Sequence, residues 1–409
     1  MIPELRFPEF IDTGDWDESA LEQVADYENG KAHEKEISEI GKYKVVNSKF
    51  ISTDGEVVKY TNSANLKANI GDILMVLSDI PNGRAIAKCF YVDEEDTYTV
   101  NQRICKITPI DIDNKFLFYI QNRNKYFLAF DDGVKQTNLR KDTVLSFPFL
   151  KPKNPKEQQK IANCLSSLDS VITAEIEKLD LLKDHKKGLL QQLFPVNGET
   201  QPHYRFPEYR NDGDWEEITL GKLAKFRRGS FPQPYGLAKW YDDENGMPFI
   251  QVYDVDTNLK IKPKTKRRIS KLAAKQSVFI EKGTVIITIQ GSIGRVAITQ
   301  YDAYIDRTLL LFEEFFKPID KLFFAYVIQL LFEIEKQKAP GGIIKTITKE
   351  VLTSFNIHLP DILEQQKIAL CLSSVDELIE SQTQKVKALK KHKKGLMQKL
   401  FPKVNSLTI

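Results

Sequence analysis

Residues 157–195 read EQQKIANCLSSLDSVITAEIEKLDLLKDHKKGLLQQLFP, and residues 364–402 read EQQKIALCLSSVDELIESQTQKVKALKKHKKGLMQKLFP. Aligned without a gap at an offset of 207, the two agree at 24 of 39 positions. Such self-similarity marks an internal duplication. Within the first copy, Ile161, Leu165, Leu168, Ile172, Leu179, Leu182, Leu189 and Leu193 follow the spacing of a coiled-coil seam. Ile368, Leu372, Val375, Ile379, Val386, Leu389, Leu396 and Leu400 repeat it in the second. No proline interrupts either stretch, so each predicts one continuous helix of about 60 Å.

Each seam is broken twice, at Glu175 and Lys186 and at Gln382 and Lys393. A parallel pairing would stack Lys186 on Lys393, a like-charge contact with a desolvation cost. An antiparallel pairing can instead face Glu175 with Lys393 and Lys186 with Gln382, leaving apolar layers such as Leu168–Leu400 and Leu193–Val375. The sequence therefore predicts an antiparallel intramolecular coiled coil with pseudo-two-fold symmetry.

Further upstream, RFPEFIDTGDW at 6–16 and RFPEYRNDGDW at 205–215 share seven of eleven residues. Between each lead-in segment and its long helix lies a variable region. The ends of these regions align, Gly133, Leu139, Lys141, Asp142, Ser146, Phe147 and Pro152 against Gly341, Ile347, Lys349, Glu350, Ser354, Phe355 and Pro360. VNQRICKI at 100–107 and IDRTLLLF at 305–312 place Arg103 in register with Arg307. β-rich sequence precedes these segments, and aromatic-rich helical stretches follow at 115–130 and 321–335. One α/β (α+β) fold used twice is the expected class. The expected divisions are 1–153 and 205–361 for globular domains with their lead-in segments. The long helices take 154–195 and 362–402, the linker 196–204 and the tail 403–409.

The chain of 409 residues is 42% hydrophobic and 28% charged, with a mean hydropathy of −0.35. Its longest apolar runs, such as 285–289, fall far short of the ~20 residues of a membrane span. The first residues lack a basic-then-apolar export pattern, so a cytoplasmic location is expected. Four scattered cysteines (89, 105, 164, 371) suit neither a disulfide framework nor a zinc ribbon. Net charge is +3 but uneven: residues 17–150 carry 17 basic against 21 acidic side chains, and residues 216–360 carry 22 against 16. Bulk charge alone therefore gives no warrant for nucleic-acid binding.

The EQQKIAxCLSSxD segment, its recurrence after each variable region and the RFPE…GDW lead-ins resemble the specificity subunit of type I restriction-modification enzymes, over almost the whole chain. That resemblance implies a target recognition domain in each variable region, each reading one half of a bipartite, asymmetric double-stranded DNA sequence. The helices would act as a ruler for the gap. Their outer faces, with the lead-in segments, would dock methyltransferase (modification) subunits, two in number, joined by restriction/translocase subunits. AdoMet, ATP and Mg²⁺ would be used by those partners, with no cofactor and no metal on this chain.

The residues agree by omission. There is no Asn/Asp-Pro-Pro-aromatic methylation motif, no phosphate loop, no dinucleotide fingerprint and no H-E-x-x-H. Asp361, Glu364 and Lys367 have the wrong spacing for a nuclease set. Gly291-Ser-Ile-Gly294 reads as a hairpin turn. His185 with His392, and Cys164 with Cys371, read as packing or surface positions. No catalytic residue is expected.

Base reading calls for Arg, Lys, Gln or Asn, and phosphate contact for Lys and Arg. In the second region the candidates are Arg227 and Arg228, then Lys264, Lys266, Arg267 and Arg268 in a dense basic run, with Arg295, Arg307 and Lys345. A salt bridge to Asp306 is the structural alternative for Arg307. In the first, acidic region they are Arg84, Gln102, Arg103, Lys135, Gln136 and Arg140. The rival class is a coiled-coil scaffold that binds no DNA, which sequence-dependent retention on DNA would separate.

Overall fold

The structure is a computed structural model, and it describes residues 2–33, 36–80, 83–196, 198–338 and 349–402. The chain divides into two units, Met1–Ile176 with Gln384–Ile409, and Glu177–Thr383.

In the first unit, the strand Asp17–Ala20 pairs antiparallel with Pro148–Lys151, so the two ends of the variable region are joined. One antiparallel sheet has the order Ala25–Asn29, Ile104–Pro109, Ile73–Val76, Cys89–Tyr91. A second has the order Tyr60–Thr61, Tyr43–Val46, Tyr98–Val100, Lys67–Ala68, with a parallel pair at its centre. The wholly apolar strand Ile73–Val76 shows why two sheets form. Side chains alternate across a strand, and Ile73 and Met75 enter one core while Leu74 and Val76 enter another.

The second unit repeats this plan on its own residues. Glu216–Thr219 pairs with Asn356–Leu359. One sheet runs Ala224–Arg228, Leu309–Phe315, Val285–Thr288, Val296–Ile298, and the other Arg267–Ile269, Met247–Ile250, Ala303–Ile305, Val278–Ile280. Val285 and Ile287 again face one core and Ile286 another. Two regions with little common sequence therefore share one strand order. The Gly291–Gly294 turn closes the hairpin between Val285–Thr288 and Val296–Ile298, with both glycines at positive φ.

Two details differ from the sequence reading. The helical stretch 115–130 is two helices, Asn114–Gln121 and Lys125–Leu128. Arg123 between them adopts φ +56° and donates its N–H to the Ala87 carbonyl, while Asn122 Oδ1 accepts from Cys89 N–H. Its counterpart Lys321–Lys338 is continuous. Second, the strands place Asn101 opposite Val46 and Asp306 opposite Ile250 through the same N–H to carbonyl bond. That equates Gln102, not Arg103, with Arg307. Arg103 instead corresponds to Thr308, since each accepts at its carbonyl from the residue after the central strand, Leu77 or Ile289.

The long helices span Pro155–Leu193 and Ile362–Leu400. The first starts on a proline, preceded by Asn154, whose side chain accepts from Lys156 N–H. Inside the first unit the two helices run antiparallel, but not in the register that matching polar seam residues predicts. Lys393 pairs with Asp169 (2.5 Å) and Glu175 with Lys385 (2.5 Å). Leu400 joins the same buried core as Ile161, Ala162 and Leu165. Within the second unit, Lys186 pairs with Asp376 (2.6 Å). The observed alignment is displaced by about one heptad. Such a slide leaves the apolar seam facing its partner, so seam periodicity cannot choose between the two registers. Acids on the helix flanks make the choice. Among the described residues no helix is long and apolar enough to cross a membrane.

Candidate nucleic-acid interface

Each lead-in segment is fastened to its long helix by a buried ion pair. Arg6 grips Glu157 with two bonds (2.7 and 2.8 Å), and Arg205 grips Glu364 likewise (2.9 and 2.8 Å). The next repeated residue, Gln158 or Gln365, accepts from the N–H of Asp113 or Asp320 and donates to the carbonyl of Pro152 or Pro360. The repeated sequence is thus a mounting for the variable region. Whatever distinguishes one copy from the other lies on the sheets it holds.

In the second unit basic residues gather around three tyrosine rings, of which Tyr235 and Tyr253 are exposed and Tyr241 is half-buried. Arg267 lies over Tyr241, its guanidinium carbon 3.8 Å from the ring centre, and its Nε meets Asp243 at 3.1 Å. Lys266 stands 4.9 Å from the Tyr253 ring and Arg307 stands 5.4 Å from that of Tyr235. Gln251 links two of these rings, donating from Nε2 to Tyr235 Oη (2.5 Å) and accepting from Tyr253 Oη. Phe231 packs beneath, against Tyr235, Tyr241 and Phe249.

Two buried aspartates set the backbone of this patch. Asp254 accepts from the N–H groups of Gln251 and Lys266, both at 2.9 Å, and burial raises its carboxyl pKa. Asp306 accepts from Arg307 N–H and Thr308 Oγ1, both at 2.8 Å. Asp306 therefore shapes the turn under Arg307 and leaves its guanidinium to the Tyr235 ring. Burial pushes the Tyr253 phenol up to about 12, so it remains a neutral hydroxyl.

The other candidates in this unit are placed differently. Lys264 and Arg228 are exposed. Arg268 is tied to the Gly246 carbonyl (2.7 Å), and Arg227 to Glu313 (2.7 Å). Arg295 is half-buried and donates to the Val255 carbonyl (3.2 Å), in a cleft also lined by Asp256, Gly291, Gln329, Glu333 and Lys336. Lys345 lies outside the described residues.

In the first unit, a short ribbon of Ser78–Asp79 against Thr137–Asn138 collects most of the candidates. Gln136 Nε2 donates to Ser78 Oγ (2.5 Å), and the Asp79 carboxylate accepts from Ala85 and Ile86 N–H in the loop that presents exposed Arg84. Arg103 is exposed at φ +69°, and its carbonyl takes Leu77 N–H just before this ribbon. Gln102, Lys135 and Arg140 are exposed. Asp132 accepts from Val134 N–H and from Lys135 N–H, and these bonds, the Val134 bond first, lower its carboxyl pKa.

Sequence reasoning missed Gln251, Tyr235, Tyr253 and Asp254, and it took Asp306 only as a salt-bridge partner of Arg307, not as the acceptor that shapes the turn. The tyrosines at 235, 241 and 253 lie upstream of the basic run, and their convergence with it depends on sheet pairing across dozens of residues.

The comparisons agree with this architecture. The family described as the type I restriction modification DNA specificity domain matches residues 13–183 and again 212–391. A Methanocaldococcus jannaschii protein named as the type I restriction enzyme MjaX specificity subunit is 25% identical over 357 residues, 85% of this chain and 81% of its own. The Escherichia coli EcoBI specificity subunit is 25% identical over 304 residues, 66% of this chain and 60% of its own. Among solved structures, the type I S subunit from M. genitalium has the same fold, with TM-score 0.63 and 17% identity over 99% of this chain and 100% of that one. A chain from a type I restriction-modification assembly study gives TM-score 0.57 at 18% identity, over 94% and 97%. With two family domains covering most of its length, the chain belongs to the type I restriction-modification DNA specificity family, whose specificity subunits recognise DNA and are non-catalytic.

Proposed function

We propose that each unit of this subunit reads one half of a bipartite, asymmetric DNA target and that the two halves are specified independently. One observation carries the reading. Two units of identical strand order present different chemistry at equivalent positions, Gln102 where the other has Arg307, and Asn47 where the other has Gln251. A constant scaffold with exchanged surface residues is what two different half-sites require.

On this reading Arg307, Arg267 and Lys266 contact DNA from the aromatic patch, with Lys264 and Arg228 on phosphates. Arg227, Arg268, Arg295 and Lys345 complete the set for that half-site. Arg84, Gln102, Arg103, Lys135, Gln136 and Arg140 serve the other. The acidic balance of residues 17–150 makes that half bind weakly alone, because phosphate neutralisation dominates affinity. Methyltransferase subunits, two per chain, would add those contacts, joined by restriction/translocase subunits, all in the cytoplasm. AdoMet, ATP and Mg²⁺ would belong to these partners. Val171, Leu181, Leu363, Leu370 and Leu378 leave apolar side chains exposed on the long helices, which suits partner docking there.

The functional divisions proposed are 1–153 and 205–361 for recognition and 154–195 and 362–402 for the helices. The test exchanges residues 17–150 for the equivalent region of a relative and maps the methylated motif by long-read sequencing. One half should change and the other persist. Simultaneous change in both halves, or in neither, would refute one half-site per unit.

A further inference from the structure

We infer that Gln251 reads an adenine, through the major-groove edge of an A·T pair, in the half-site of the second unit. The inference rests on the DNA-contact reading above and adds the base and the residue.

A carboxamide offers two N–H donors and two lone pairs. The Gln251 amide spends one donor on Tyr235 Oη and one lone pair on Tyr253 Oη. Among the described residues, one N–H and one lone pair remain, the complement of adenine N7 and N6–H. The two tyrosines also fix a side chain that would otherwise sample many rotamers, so little freedom is lost when a base arrives. The backbone is fixed as well, by the bond from Gln251 N–H to buried Asp254 (2.9 Å).

The surroundings fit a groove-facing position. Arg307 on the Tyr235 ring and Lys266 on the Tyr253 ring put positive charge on both flanks of the amide. The equivalent residue of the first unit is occupied otherwise. Asn47 caps the helix Ser48–Ser52, its Oδ1 accepting from Phe50 N–H at 2.9 Å. In the second unit the corresponding N–H, that of Asp254, goes to the Gln251 main-chain carbonyl (2.9 Å), so the Gln251 side chain is not needed for the cap.

The experiment is selection of a randomised duplex library by the full-length chain at low salt, followed by sequencing. Four proteins are compared: wild type, Gln251→Ala, Tyr253→Phe and Lys264→Ala. Wild type should enrich a motif with a fixed adenine in one half. Gln251→Ala should lose about tenfold in preference at that one position and keep the other letters. Tyr253→Phe, which loosens the amide without removing it, should keep the letter with weaker preference. Lys264→Ala should bind more weakly and keep every letter. An unchanged letter frequency at every position in Gln251→Ala overturns the inference while leaving DNA recognition standing. If that variant melts below the assay temperature, Tyr253→Phe decides, and an unchanged adenine preference there overturns it. A wild-type chain that enriches no motif overturns the DNA-contact reading itself, and the inference with it.

Discussion

At the scale of single residues, the mounting depends on charges that are buried yet matched. Glu157 and Glu364 are almost fully enclosed, with side chains 1% exposed, and each takes both bonds from one arginine. Hydrogen bonding to these carboxylates raises the guanidinium pKa of Arg6 and Arg205 above the usual value. Removing one partner of such a pair strands the other charge in a dry site, a loss of about 3–5 kcal/mol. Glu364→Ala should therefore lower unfolding stability by roughly 3 kcal/mol, read from urea midpoints. The two sites also differ. Trp16 Nε1 donates to Glu157 (3.2 Å), whereas the buried Trp215 Nε1 has no hydrogen-bond partner among the described residues. Both the arginine and the glutamate stand in repeated motifs, so their importance was legible in the sequence. Their pairing across some 150 residues was not, because nothing local links them.

At the scale of elements, the same three-residue device recurs in each unit. Tyr119 Oη donates to Asp169 (2.7 Å), and Lys393 reaches the other oxygen of that carboxylate while lying 5.1 Å from the Tyr119 ring. Tyr326, Asp376 and Lys186 repeat the arrangement at 2.6 Å, 2.6 Å and 5.3 Å. Each device ties a helix of the recognition domain to both long helices, and it selects among registers that the leucine seam leaves equivalent. The aspartates lie in the repeated LSSxD segment, visible as a motif but off the seam. Polar matching within the seam therefore gave a pairing one heptad out. A double-mutant cycle on Asp169→Asn and Lys393→Met should show a coupling energy of about 1–2 kcal/mol. Additive effects within ~0.3 kcal/mol would mean that the pair does not hold the register.

At the scale of the whole chain, the duplication, the helices and the two mixed domains were readable because each leaves a periodic or repeated trace. The surface proposed to face the bases leaves none. Gln251, Tyr235 and Arg307 come together only through the pairing of Met247–Ile250 with Ala303–Ile305. The one-residue slip between Arg103 and Arg307 shows the same limit, since a lone arginine match can outweigh the true strand register. Each long helix contributes residues to both units, the first dividing after Ile176 and the second after Thr383. If helix length sets the unread gap between half-sites, lengthening both by one heptad should widen that gap. Seven residues add about 10 Å, or roughly three base pairs at 3.4 Å each. A heptad also returns the seam to within ~20° of its original face, so the apolar layers persist. Insertions after Glu177 and Gln384 leave Asp169, Lys186, Asp376 and Lys393 in their own units. The doubly inserted protein should direct methylation to the same half-sites with about three more bases between them. A single insertion should misalign one helix against the other and lower the melting temperature. Methylation by the doubly inserted protein at the original spacing, with full efficiency, would show that the helices do not measure the gap.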